Sequence, residues 1–82
     1  MKKVHEAIEC YNEAIILVDT YIEAYLARSI AWELTTCIGL AQKDANDAIK
    51  IDNKFAPSHI RNAEVHFAKI KAGHSQEFLP CI

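Results

Sequence analysis

The fold is decided by VHEAIECYNEAIILVD (residues 4–19) and IGLAQKDANDAIKIDN (residues 38–53), two stretches that line up without a gap. Laid over one another, Ala7 meets Ala41, Asn12 meets Asn46, Ala14 meets Ala48 and Ile15 meets Ile49. Conservative matches surround them: Val4 with Ile38, Glu13 with Asp47, Leu17 with Ile51 and Asp19 with Asn53. In the same register beyond the two stretches, Tyr21 meets Phe55 and Ser29 meets Ala63. Val4, Ala7, Ile8, Tyr11, Ala14, Ile15 and Val18 follow i, i+3, i+4, i+7 spacing, so they form one stripe of a helix. Lys3, Glu6, Glu9, Asn12 and Glu13 fall off that stripe. In the second stretch Ile38, Ala41, Ala45, Ala48 and Ile49 make the corresponding stripe, and its small side chains allow close approach of a neighbouring helix.

Working outward, Asp19-Thr20 ends the first helix, and Thr20 with Glu23 has the spacing of a capping box for the next. The second helix carries Tyr25, Leu26, Ser29, Ile30, Ala31, Trp32 and Leu34, apolar around most of its circumference, as in a helix packed on two sides. Thr35-Thr36-Cys37 and Gly39 are poor helix formers, which places a turn there. Asp52-Asn53-Lys54 ends the third helix. Pro57 suits the first turn of a fourth, whose apolar positions are Ile60, Ala63, Phe67 and Ile70. Gly73 is positioned as its C-cap, and no stretch has the pattern of a strand. The expectation is an all-α chain of four helices, antiparallel hairpins stacked into a short solenoid over residues 1–73, with a tail at 74–82.

Composition narrows the function. The chain has 82 residues, 51% apolar and 24% charged, with two glycines and two prolines. That is material for one small globular domain. Nine basic residues against eleven acidic give a net charge of −2, which argues against attraction to nucleic acid or an anionic membrane. Lys2 and Lys3 are followed by His5, Glu6 and Glu9, which interrupt any signal-peptide core. The longest apolar run, residues 14–18, is far short of a membrane span. Cys10, Cys37 and Cys81 are too dispersed for a C-x-x-C site and cannot all pair with one another, so a reducing location, cytoplasmic or nuclear, is expected.

A period of about 34 residues with two helices per period is the pattern of tetratricopeptide helix pairs. The chain resembles the tetratricopeptide repeat family over residues 2 to about 72. Ala7, Tyr11, Ala14 and Ile15, and again Ala41, Ala45, Ala48 and Ile49, match the second helix of a pair, with Ala45 in an aromatic slot. Tyr25, Ser29 and Trp32 match the leading helix, and so do His59, Ala63 and His66 with histidines in place of aromatics. Asp19 and Asn53 stand where the family usually has proline. The resemblance implies a register of second, leading, second, leading helix: one complete pair flanked by two half pairs. Stacked repeats usually need about three units to bury a continuous core. The expectation is therefore a piece of a longer array, or end faces covered by a partner or a second copy.

The resemblance also implies a non-enzymatic adaptor, a scaffold whose leading helices line a groove for a protein or peptide. The groove positions are Glu23, Leu26, Ala27, Ile30, Glu33 and Leu34, then Pro57, Ile60, Arg61, Glu64 and Phe67. A co-chaperone subfamily clamps acidic C-terminal tails with Lys, Asn and Arg. Here Arg61 matches the clamp arginine, but Pro57 holds the lysine slot and Ala27 the asparagine slot, so no carboxylate clamp is expected. Three groove carboxylates, Glu23, Glu33 and Glu64, favour an apolar or basic segment. The alternative is a structural, self-associating chain whose open ends pair.

Catalytic and metal chemistry find little support. His59 and His66 occupy packing slots and are expected in or near the core rather than as metal ligands. Cys10 and Cys37 are expected as small buried hydrophobes, not nucleophiles. Gly39 and Gly73 are isolated, so there is no phosphate loop. Lys2, Lys3, Lys69 and Lys71 form no basic stripe. Trp32 is expected to pack, and Ile16 or Leu17 to face outward. No metal or cofactor is expected.

Overall fold

A computed structural model describes residues 2–72. It consists of α1 (Lys2–Leu17), α2 (Ile22–Leu34), α3 (Ile38–Ile51) and α4 (Ala56–Ala72). No strand occurs among the described residues. Each helix packs on the next, and α2 also touches α4. This is an all-α helical repeat, as the recurring pattern requires. The expected Gly73 cap and the tail at 74–82 lie outside the described residues.

The repeat is visible in the joints. α1 ends at Leu17 and α3 at Ile51, while α2 begins at Ile22 and α4 at Ala56; both pairs of boundaries are separated by the interval that relates the two opening stretches. The connecting turns repeat bond for bond. Tyr21 N donates to Val18 O (3.1 Å), and Phe55 N to Asp52 O (3.3 Å). Ala24 N donates to Tyr21 O and Ser58 N to Phe55 O, both at 3.1 Å. A side-chain clasp recurs as well. Tyr25 Oη donates to the Asp19 carbonyl at 2.9 Å, and His59 Nε2 lies 2.7 Å from the Asn53 carbonyl.

Alanine dominates the core. Ala41, Ala45, Ala48 and Val65 have no exposure, and Ile8, Ala24, Ala31, Cys37 and Ile38 are also buried. Trp32 and Ala68 pack against Ile38, Ala41 and Val65, so Trp32 does pack as expected. Few bulky side chains fill this interior. Backbones therefore approach closely, and polar side chains occupy part of the space: Ser29, Asp44, Ser58 and Arg61 are all buried.

Several local expectations change. Tyr21, not Thr20, is the N-cap of α2, and no side chain caps it. Thr20 thus lies one residue too early for the Thr20–Glu23 box. Gly39 lies inside α3 rather than in the turn. The left-handed residue is Thr36 (φ 64°). Cys37 N donates to Trp32 O and Thr36 N to Glu33 O, which is a Schellman closure with threonine where glycine is usual. In α4 the inward stripe is Ser58, Arg61, Val65 and Ala68, so Arg61, expected to line the groove, is buried, while Ile60 and Phe67, also expected there, are exposed along with Ala63 and Ile70. His59, His66 and Cys10 are exposed rather than buried. Val18 is also exposed, because α1 stops at Leu17. Ile16 and Leu17 both face outward, at 81% and 82% exposure.

Candidate functional site

Two polar joints set the spacing of the helices that could form a groove. The first centres on Arg28 of α2. Its Nε and Nη2 donate to Asp44 Oδ2 and Oδ1 at 2.8 and 2.7 Å, and its Nη1 to Asn12 Oδ1 at 2.7 Å. One guanidinium thereby ties α2 to α3 and α1. The bidentate fork matches a carboxylate in one geometry only, so it also fixes helix register. Its hydrogen bond to Asp44 raises the Arg28 pKa, with burial opposing. The guanidinium also lies 5.7 Å from the Tyr25 ring centroid. Asn12, read from the sequence as off the packing stripe, is half-buried because it accepts this bond.

The second joint centres on Arg61 of α4. Its Nε donates to Ser29 Oγ at 3.0 Å, and Ser29 Oγ donates in turn to the Ala41 carbonyl at 2.8 Å. Arg61 Nη2 pairs with Glu33, and Nη1 lies 3.3 Å from Glu64 Oε1. The Arg61 side chain is only 10% exposed. Every nitrogen of this cation is therefore engaged within the fold, with little left to meet an incoming carboxylate.

Among the described residues, two hollows take up part of the expected groove. One, about 520 Å³, lies between α2 and α4 and is lined by Glu33, Arg61, Ala63, Glu64, Phe67, Ala68 and Lys71. Its two acids and two bases balance. The other, about 210 Å³, lies between α1 and α2. Its wall is almost wholly apolar: Val4, Ala7, Tyr11, Ala27, Ile30, Ala31 and Leu34, with Lys3 at the edge. The structure thus groups Glu33, Arg61, Glu64 and Phe67 in one place and Ala27, Ile30 and Leu34 in another. Glu23, Leu26, Pro57 and Ile60 line neither. Glu23 and Pro57 are exposed in the first turns of α2 and α4, Ile60 is 58% exposed, and Leu26 is half-buried.

The α1 side of the smaller hollow was not among the groove residues expected from sequence. Its signal was present in the repeat: Val4, Ala7 and Tyr11 correspond to Ile38, Ala41 and Ala45, whose face α2 covers. Lys71, Ala63 and Ala68 in the larger hollow were also missed, since they become neighbours only when α4 turns Arg61 inward. Among the described residues no group of three or more His, Cys, Asp or Glu is placed to hold a metal ion. No helix among them is long and apolar enough to cross a membrane.

Fold and hollows together define an all-α helical-repeat unit with open apolar surface between its helices. The chain is similar to a segment of serine/threonine-protein phosphatase 5 from Homo sapiens and from Rattus norvegicus, 36% identical to each over 67 residues. The match covers 82% of this chain but 13% of each relative's length. No protein-family model matches the chain. No solved structure matches it either.

Proposed function

We propose that this chain is a tetratricopeptide-type scaffold unit, cytoplasmic and non-enzymatic, that binds a polypeptide segment along the row formed by α2 and α4. One observation carries this. Ile30, Leu34, Ile60 and Phe67 are 48%, 56%, 58% and 67% exposed on helices whose opposite sides are buried. Large apolar side chains left outward on helices in contact with one another mark an interaction surface. The regular recurrence of stripes, turns and clasps supports the family reading, and the similarity to phosphatase 5 supports it further. The phosphatase activity stated in that name belongs to proteins of which the match covers 13%, and we assign this chain a binding role instead.

The engagement of Arg61 by Ser29, Glu33 and Glu64 argues for an apolar segment over an acidic tail. Binding would be driven by burial of apolar area at about 25 cal/mol per Å², with the charged rim setting specificity. The test is selection of a phage-displayed random peptide library on the immobilised chain. Enrichment of peptides with apolar or aromatic side chains, lost in Ile30→Asp/Phe67→Asp, is the expected result. Enrichment of acidic C-terminal peptides, or none that the double variant abolishes, would overturn it.

A further inference from the structure

We infer that the chain assembles head to tail with copies of itself, α4 of one copy seating in the apolar groove between α1 and α2 of the next, so that the repeat continues across the interface. The chain already makes this joint once internally. There α2 lies against both α3 and α4, with Trp32 packed on Ile38, Ala41 and Val65. Moved one repeat toward the N-terminus, those receiving positions become Val4, Ala7 and Ala31, all of which line the open groove. Moved one repeat the other way, the seated helix α2 becomes α4.

The faces that would form the second joint are exposed among the described residues. Ile30 and Leu34 in the groove are about half exposed, and on α4 Phe67 and Ile70 are 67% and 78% exposed. The residue changes between the two versions are concerted. Inside the chain Glu33 pairs with Arg61; the corresponding pair across copies is Phe67 against Ala27. The buried hydroxyl of Ser29 becomes the methyl of Ala63. Acid and base are replaced together at that place, and Trp32, seated in the internal joint, becomes His66.

This interface is heterologous, with different faces on the two partners, and head-to-tail contacts that do not close form open chains of copies. It would lengthen the row of leading helices. It is argued from the internal joint, which involves no ligand, but it buries Ile30, Leu34 and Phe67, so copy and segment compete for these side chains.

Sedimentation velocity on the full chain tests it, from roughly 10 µM to 1 mM, the range of weak interfaces. The sedimentation coefficient should rise with concentration. Phe67→Glu spoils only the α4 face and Leu34→Glu only the groove, so each should weaken self-association at least tenfold. Mixed in equal amounts, they retain one intact groove and one intact face, and should form a 1:1 dimer that grows no further. Phe67→Gln and Leu34→Gln repeat the test without added charge, and circular dichroism verifies that all four variants fold. A wild-type monomer throughout the range, undiminished assembly of the single variants, or a mixture that stays monomeric would each overturn the inference.

Discussion

Arg28→Met should be among the most damaging single substitutions in this chain, and more damaging than removal of its partner. Arg28 makes two charge-assisted bonds to Asp44 and a third to Asn12. The Asp44 side chain is 3% exposed, whereas that of Arg28 is 17% exposed. Without the guanidinium, the buried Asp44 carboxylate loses both of these bonds. Breaking a buried pair in this way costs about 3–5 kcal/mol. A domain of this size has roughly 4–12 kcal/mol to lose, so the variant should be largely unfolded near 37 °C. Asp44→Ala leaves an arginine that can swing its head to solvent, and should cost about 2 kcal/mol, the scale of lost hydrogen bonds to a charged group. Arg28→Met/Asp44→Leu removes both charges and should recover at least half of the single-variant loss. Urea unfolding followed by circular dichroism at 222 nm measures all three. An Arg28→Met cost below about 1 kcal/mol, or a double variant no better than Arg28→Met, would refute the reasoning.

Other substitutions report on single features of the fold. Ser58 is fully buried with an unpartnered hydroxyl, and its counterpart one repeat earlier is Ala24, so Ser58→Ala should stabilise the fold by about 1 kcal/mol in urea unfolding. Thr36→Gly relieves a left-handed β-branched residue, and Gly39→Ala fills open space in a helix; each should add about 0.5–1 kcal/mol of stability in the same assay. The hydrogen bond and charge of Asp47 raise Lys43 above the ordinary lysine value of 10.5. That contribution is complete below the unfolded value and is lost as pH rises through the raised one. The small stability difference between wild type and Lys43→Met should therefore hold steady at neutral pH and shrink only in strongly alkaline buffer.

The helices and their register were legible because α1 and α3 repeat the same apolar stripe and the two equivalent turns contain the same number of residues. Burial in α4 was not. Hydrophobicity pointed to Ile60, Phe67 and Ile70, yet Arg61 turns inward because α2 offers it Ser29 and Glu33. A single stripe cannot show a partner on another helix. The repeat held the answer: Ala24 and Ala31 are buried, and so are Ser58 and Val65 at the matching positions. Asp44 was missed in the same way, although it falls between Ala41 and Ala48 on a buried face. His59 was assigned by its slot to the core, whereas Tyr25 in the equivalent slot serves as a clasp at the turn, and the histidine copies that role. The expected groove residues were readable as leading-helix positions. Their grouping around two hollows was not, because each hollow lies between two helices.

The fold requires α2 to be wedged against α3 and α4 as the middle member of a repeating stack. Long-range NOEs from the Trp32 indole, recorded on the isotope-labelled chain, test this most directly. Cross-peaks to the methyl groups of Ile38, Ala41 and Val65 together are the predicted result. Contacts to near neighbours alone, or to α3 with none to Val65, would contradict it.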